Sequence, residues 1–557
     1  MEPPTKKSKF AQLPKFSNNF YPPISDNRTI ISKYINREDL KPINIFQKRL
    51  EETEERRNEI NYGEKIAHLF MRDFRIIDNK GLSLASKLAS DKNLPLITIY
   101  VFCIEDIFSH AVSPFQLEFR LRSLEILKQE LYSLNIPLIL LEVEKSEEVP
   151  KKLLECLTQN KVSHIFSNIE YEIDELRLFS SLLSHLTNEN ICFKPVHDSC
   201  IVRPGELYTK SKGTQYTVFA PWYKAWCKYV KSTKECLSVF PQPSSNKSNF
   251  SSDFKDLFES KLPLAPEDKK LTRSQEKIFN SYWKCGEKEA WNSLYDFLQS
   301  DKFINYDDSR NDISMDVVSC MSCYISSGII STRSIVRYLL DHKLIKQIDS
   351  GDKGTGWIRQ IAWRDFYKHI LCNWPYICMF KPFLLEYDEL KWEYNYDHFK
   401  SWCEGKTGFP IVDAAMRQLN ETGYLHNRCR MIVASFLTKH LLIDWRYGEY
   451  YFMEHLVDGD FASNNGGWGF CSSIGVDPQP YFRIFNPWLQ SEKFDKKGNY
   501  IRKWVMELRD IEDEKGIHNP YENGFERIAM ENGYPRPIVD HKTCRERALE
   551  RFKQAKY

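Results

Sequence analysis

From about residue 64 the chain alternates between two hydrophobic periods. Apolar runs of strand length stand at 65–70, 96–103, 136–143, 162–166 and 191–196, and stretches of helical period lie between them at 82–90, 114–134, 148–160 and 174–186. Strands alternating with helices predict βαβ units, hence a parallel sheet covered on both faces, with right-handed crossovers. No G-x-G-x-x-G follows the first strand, so the usual dinucleotide fingerprint is not predicted there. Residues 197–260 differ: they carry Pro204-Gly205 and the serine-rich stretch Pro241 to Asp253, and read as a long linker. After about 265 the strand signal fades and helical periods dominate, at 266–301, 331–347, 355–374, 410–421, 427–442 and 447–457, with no internal repeat. The predicted architecture is a flexible leader over 1–60, an α/β domain with a Rossmann-like parallel sheet over 64–196, the linker, and a larger all-helical domain over 265–540.

Composition narrows the function. With 557 residues, 42% hydrophobic and 28% charged, most of the chain is expected to build packed cores. The longest near-apolar run, Leu94 to Ile104, holds a proline and is far short of the roughly 20 residues a membrane span needs. Lys+Arg 78 against Asp+Glu 76 leaves a net charge of +2, so any nucleic-acid footprint must be local. Fifteen cysteines, an odd number, with no secretory signal indicate a reduced intracellular protein. Cys320 and Cys323 have C-x-x-C spacing but no second pair and no nearby His, so no metal is predicted. Lys6, Lys7 and Lys9 form a short basic cluster readable as a nuclear address, with a mitochondrial role left open. Aromatic residues at 14% favour stacking surfaces or a large aromatic ligand, with large aromatic cores as the alternative.

Three segments of the helical half carry candidate chemistry. In Gly356 to Trp374, a helical pitch puts Gln360, Trp363, Arg364 and Tyr367 on one face. An amide, an indole and a guanidinium together suit a nucleobase, which is planar with polar edges; a core tryptophan with an ion-paired arginine is the competing reading. Gly423 is a plausible C′ cap, and a helix beginning near Asn427 places Asn427 and Arg428 in its first turn, where free N–H groups favour anions. The stretch Asp458 to Phe485 is rich in Gly, Asn, Ser and Pro and reads as a long loop, a feature usually functional in compact domains. It offers Asp458, Asp460, Asn464, Asn465, Trp468 and Phe470, a set suited to clasping a polar aromatic cofactor.

Taken together, WIRQIAWRDFYKHILCNWP (357–375), TGFPIVDAAMRQLNETGYLHNRCRMIVASFLTKHLLIDWRYGEYYFM (407–453) and DGDFASNNGGWGFCSSIGVDPQPYFRIFNP (458–487) resemble the cryptochrome/photolyase family, most closely the class I enzymes of fungal type that repair cyclobutane pyrimidine dimers. The resemblance is near-continuous over 350–515, weaker at 70–79 and 216–226, and leaves out 1–60. It implies an antenna domain, a linker and a helical flavin domain. It further implies a monomeric lyase on UV-damaged DNA, in which one reduced FAD per chain gives an electron to a flipped-out dimer under light.

Position by position, the resemblance assigns Tyr306, the run Ser319, Cys320, Met321 and Ser322, and Asp458, Gly459, Asp460 and Asn464 to the flavin. Val318 replaces a hydroxyl residue of the family's phosphate clasp. Asn464 matches the residue beside flavin N5, where plant-type cryptochromes carry Asp, so it favours repair. Trp468, Trp445 and Trp392 match the electron relay that reduces oxidised flavin. Arg310, Gln360, Trp363, Arg364, Asn427, Arg428, Phe470, Arg483, Gln490 and Lys493 match DNA- or lesion-contacting positions. Gln360 departs from the Glu usual in dimer photolyases: it cannot ionise but both donates and accepts, and six-four photolyases commonly carry it. Phe470 replaces a common Trp and offers less stacking area. His110, Asp174, Glu175 and Cys378 match contacts to a methenyltetrahydrofolate antenna, with a deazaflavin as the alternative. A cryptochrome-type receptor and a six-four photolyase are the competing functions.

Overall fold

The computed structural model describes residues 37–555, apart from 249, 251–253, 316 and 479–481. Five parallel strands, β1 (Lys65–Phe70), β2 (Leu96–Cys103), β3 (Leu138–Val143), β4 (Val162–Asn168) and β5 (Cys192–Val196), form one sheet in the order β3-β2-β1-β4-β5. β1 pairs Ile66 with Leu96 on one side and with His164 on the other. The order reverses between β1 and β4, and a crevice beyond the carboxyl ends of strands at such a switch point is where doubly wound sheets bind ligands.

Among the described residues, two α-helices precede the sheet, α1 (Pro42–Glu52) and α2 (Glu54–Glu59). They fall within the stretch expected to be a flexible leader, and the expectation fails there. α1 has a narrow apolar stripe, Ile43, Phe46 and Leu50, and Phe46 packs 6.3 Å from the Phe179 ring. The buried Arg57 of α2 donates to the carbonyls of Phe193 and Leu50. The basic cluster Lys6, Lys7 and Lys9 lies outside the described residues.

The longer helices between strands are α3 (Lys80–Lys92), α4 (Pro114–Ser133), α5 (Val149–Gln159) and α6 (Ile173–Asn188). Next comes α7 (Phe219–Ser232), inside the stretch read as a linker. Its buried Phe219, Trp222, Tyr223, Trp226, Cys227 and Val230 follow a helical stripe, and Pro221 sits in the first turn, where its missing N–H costs nothing. Thus residues 197–260 include a packed helix as well as connecting chain.

Downstream, the single helical pattern at 266–301 is broken into α8 (Arg273–Tyr282) and α9 (Glu287–Gln299) by Gly286 at φ 88°. The remainder is helical: α10 (Thr332–Asp341), α11 (Thr355–Asn373), α12 (Tyr396–Glu404), α13 (Pro410–Thr422), α14 (Asn427–Ser435), α15 (Trp445–Met453), α16 (Phe461–Ser472), α17 (Pro487–Phe494), α18 (Asn499–Trp504), α19 (Glu526–Glu531) and α20 (His541–Gln554). Two large apolar cores result. One spans the sheet, α7 and α11; the other holds α12 to α16 and α20.

α16 corrects the expected loop. Three glycines and two asparagines give it poor helix propensity, but Asp460 caps it by accepting from Ser463 N, and most of its residues are buried. Close packing accounts for glycine at two positions: a Cβ at Gly466 would run into the Tyr367 ring of α11, and one at Gly448 of α15 into the Trp468 indole.

Candidate functional site

α16 is the spine of the site. Near its start it meets α11, through Asp460 and Lys368 at 4.0 Å and through Gly466 beneath Tyr367. Its end lies near the cations of α14 and the segment after residue 481, since Arg428 and Arg483 both act on the Cys471 thiol.

On α11, the expected stripe is present. Gln360, Trp363, Arg364 and Tyr367 are half-buried while their neighbours at 361, 362, 365, 366 and 368–370 are buried. Trp363 lies flat against Phe219 of α7, ring centroids 3.6 Å apart and planes 7° from parallel, with Tyr367 at 5.3 Å. One face of the indole is therefore committed to protein. Gln360 donates from Nε2 to the Gly356 carbonyl at 3.3 Å, leaving its Oε1 as an acceptor. Arg364 points elsewhere than the other expected DNA contacts: it donates to the Ser199 carbonyl at 2.6 Å and lies under the influence of Asp460, Asp365 and Glu170.

The first turn of α14 holds as expected. Gly423 adopts φ 71° at the end of α13, and the His426 side chain caps α14 by accepting from Arg428 N. Asn427 is exposed. Arg428 donates to Asn311 Oδ1 at 2.8 Å and lies over the Phe494 ring, which Lys493 also approaches. Burial, with the nearby charges of Arg483 and Arg310, lowers the Arg428 pKa. Arg310, Arg428, Arg483 and Lys493 thus gather into one basic cluster, and none forms an ion pair among the described residues. Arg483 and Gln490 also border a surface groove of about 340 Å³ with Arg545 and Leu549 of α20.

The carboxylates are held differently. Asp458 accepts with both oxygens from Arg430 Nη2, at 2.9 and 2.8 Å. Burial would raise the Asp460 pKa, but Lys368 and Arg364 outweigh it and keep this carboxyl ionised. Asn464 donates from Nδ2 to the Glu449 carbonyl at 3.0 Å, and Asn465 donates to Glu449 Oε1 at 2.8 Å. Asn464 therefore keeps its Oδ1 and a second N–H, with no net charge. Tyr306 is buried; Ser319 accepts from the Trp357 indole at 3.2 Å; Cys320 stands at φ 51°; Met321 is buried and Ser322 exposed. Gly459 takes its carbonyl hydrogen bond from Gln116 of α4. The donor set fits FAD: carboxylates for hydroxyl or ring N–H groups, a neutral amide for the ring edge, and open space beside Gly467, where a Cβ would meet nothing within 4 Å.

Trp468, Trp445 and Trp392 are 2%, 2% and 8% exposed and share one core. The indole N–H groups of Trp468 and Trp392 have no acceptor among the described residues. Phe470 is half-buried on that core. Sequence reading missed Trp402, 6.3 Å from Trp468, and Phe219 beneath Trp363. It also missed Lys368, which stands four residues beyond Arg364 and hence on the same side of α11, a spacing that was available as a signal.

A second feature is a cavity of about 340 Å³ between the sheet and α15–α16, at the carboxyl ends of β1 and β2 and the start of α6. It joins all four residues expected to touch an antenna: His110, Asp174, Glu175 and Cys378. His110 Nε2 lies 3.0 Å from Asp174. Burial opposes the histidine charge, but Asp174, Glu175 and Asp106 outweigh it and raise the pKa to about 9. Burial pushes Glu175 up to about 7 although Arg72 donates to it.

Two family models match the chain: DNA photolyase over residues 66–244 and the FAD binding domain of DNA photolyase over 357–554. A deoxyribodipyrimidine photo-lyase of Neurospora crassa is 46% identical over 96% of this chain and 89% of its own length. The mitochondrial deoxyribodipyrimidine photo-lyase of Saccharomyces cerevisiae is 38% identical over 98% of this chain and 96% of its own. Among solved structures, a class III photolyase of Agrobacterium tumefaciens aligns with TM-score 0.74 at 31% identity, covering 89% of this chain and 98% of its own. A Sulfolobus tokodaii photolyase with two FAD molecules aligns with TM-score 0.69 at 27% identity, covering 88% and 100%.

Proposed function

The chain belongs to the DNA photolyase family, and from that premise we propose that it is a deoxyribodipyrimidine photo-lyase, repairing cyclobutane pyrimidine dimers in UV-damaged DNA under light. The observation that carries the reading is the convergence on α16, which links the carboxylates and amide suited to FAD with the basic cluster around Arg428. FAD, when bound in reduced form, supplies the electron that opens the dimer and is recovered afterwards, with no net redox change.

The residues divide the rest of the work. Asp458, locked by Arg430, and Asp460, held ionised by Lys368 and Arg364, orient the cofactor. Asn464 offers its neutral amide without placing a charge beside an anionic ring. Trp363, backed by Phe219, and Phe470 form apolar walls for a flipped base pair, while Gln360 presents an acceptor to its polar edge. Arg310, Arg428, Arg483, Gln490, Lys493 and Asn427 hold the phosphodiester backbone, and backbone contacts of this kind make binding salt-dependent. Trp468, Trp445 and Trp392, buried in one core, would serve as the oxidisable rings of an electron relay to bound flavin. Trp468→Phe is expected to abolish photoreduction and to leave repair by pre-reduced protein intact. Light-dependent loss of dimers from irradiated DNA, measured with fully reduced flavin, tests the activity; no loss ends this reading. Lesion choice at Gln360 is decided by the same assay on six-four lesions.

The cavity fits a light-harvesting chromophore. The carboxylates Asp174 and Glu175 suit the amino and ring N–H edge of a methenyltetrahydrofolate, and the apolar wall of Phe70, Phe102 and Leu117 suits its flat rings. We place the protein in the nucleus. The yeast relative is named mitochondrial, so a fluorescent fusion with and without residues 1–36 must score both compartments.

A further inference from the structure

Among the described residues, three basic side chains line the cavity between the sheet and α15–α16. Arg72 is paired with Glu172 and Glu175, and His110 with Asp174. The third, Arg120, forms no hydrogen bond or ion pair among the described residues, and its Nε is sealed off with no acceptor. Its place on α4 turns it to the cavity. Gln116, Leu117, Arg120, Leu121 and Leu124 all line that space, at spacings of three and four that share one helix face. Gln116, Leu117 and Leu124 are buried, whereas Arg120 is half-buried and keeps open surface among them.

The acids that act on Arg120 are already engaged. Glu170 lies 3.6 Å from both Arg72 and Lys368, and Asp460 lies 4.0 Å from Lys368. Arg72 is a like charge nearby. A guanidinium in such a site without an acceptor is costly. It carries five N–H donors and no acceptor, so its chemistry alone fixes the direction of any bond it makes. We propose that Arg120 grips the ligand of the cavity, donating to a ring carbonyl that stands beside a ring N–H, the lactam edge that pterins and flavins share. Glu175, 2.8 Å from Arg72, accepts from the N–H beside that carbonyl. A positive charge is repelled at this point, so the cationic methenyl bridge of a folate lies away from Arg120, along the apolar wall. The inference rests on the antenna reading of the cavity and names the edge by which the chromophore is held.

The test uses the full FAD-loaded chain, titrated with methenyltetrahydrofolate and, in a separate arm, with riboflavin; the arm that binds identifies the source of the lactam. Arg120→Met should weaken that binding about tenfold or more. Arg120→Lys keeps the charge but not the planar fork, and its affinity should fall between the two. Without antenna ligand, Arg120→Met should melt at or above the wild-type temperature, because it removes a charge that no protein group compensates. Added ligand should then raise the wild-type midpoint more than that of the variant. Unchanged affinity in Arg120→Met, or a ligand-free variant that melts several degrees below wild type, overturns this inference while the antenna reading stands. Failure of both ligands to bind wild type overturns both.

Discussion

Two groups of charged side chains lie towards opposite ends of α16 and behave in opposite ways. Between the sheet and α11, cations and carboxylates alternate. Arg72 pairs with Glu172 and Glu175 at 2.7 and 2.8 Å, Lys368 with Glu172 and Glu170 at 3.1 and 3.6 Å, and Arg333 with Asp78 and Asp198 at 3.0 and 2.6 Å. At the far end of α16 and on α14, Arg310, Arg428, Arg483 and Lys493 stand together without a carboxylate in ion-pair range among the described residues. Paired charges cancel and serve to join the two halves. Cations left together keep an uncompensated field, which is what a phosphate backbone requires. A chain with net charge +2 can thus bind DNA, because its charges are segregated by position and not in total.

The largest effect should come from breaking the paired group. Lys368 is 1% exposed and faces three acids, Glu170, Glu172 and Asp460. Lys368→Met leaves them facing one another with less compensation, and removing one partner of a buried pair costs about 3–5 kcal/mol. Denaturant unfolding at neutral pH should show that loss. The loss should shrink as pH falls, because Glu172 is held well below its ordinary value by Arg72 and Lys368 against burial. A depressed carboxylate contributes stability that is present above its unfolded value and lost as pH drops towards the folded one. A variant as stable as wild type would mean that the acids repack around Arg72 and Arg364 alone.

The two groups were not equally legible in the sequence. The sheet was plain, because strands buried on both faces are near-continuous apolar runs; β1 and β2 have the expected bounds and the others differ by one or two residues. α1 and α7 were hidden for opposite reasons. α1 has few apolar positions among charges, and α7 sits in a stretch bracketed by Pro204-Gly205 and a serine-rich run. α16 read as a loop because its glycines answer to Tyr367 and to close helix packing, which sequence alone does not display. The basic cluster was named residue by residue from motif resemblance, and three of its members act on one another in the structure. The paired group was nearly invisible: Arg72, Glu172, Lys368 and Arg333 lie in four separate segments and meet only in the fold.

Next in size is Trp363, which is stacked on Phe219. If its free face stacks on a flipped base, Trp363→Ala should weaken binding to dimer-bearing DNA by about 1–3 kcal/mol and leave binding to undamaged DNA nearly unchanged. An equal loss on both DNAs would assign Trp363 to packing against Phe219 alone. The basic cluster predicts a smaller and less selective change. Arg428→Ala should weaken damaged and undamaged DNA alike and lower the slope of log K against log salt by about one. An unchanged slope would show that Arg428 is held against Asn311 and Phe494 and contacts no phosphate.

The smallest effect belongs to a pair in neither group. His110 and Asp174 sit at the cavity rim, 3.0 Å apart, with the histidine 37% exposed, so solvent screens their attraction. Asp174, Glu175 and Asp106 still raise the His110 pKa from 6.5 to about 9 against burial. The folded state therefore holds this proton more tightly than the unfolded one. Its contribution to stability is fully present below about pH 6.5 and drains away as pH rises through about 9. His110→Gln keeps a hydrogen bond to Asp174 but removes the titration. The difference in thermal midpoint between wild type and His110→Gln should be largest near pH 6 and close to zero above about pH 9. Glu449 titrates in the same interval in both proteins and cancels, whereas the His110 charge lowers the Glu175 pKa, so the difference reports His110 together with its coupling to Glu175. A difference that stays flat with pH would make the pair a plain hydrogen bond, and paired charge would then stabilise this protein only where it is buried.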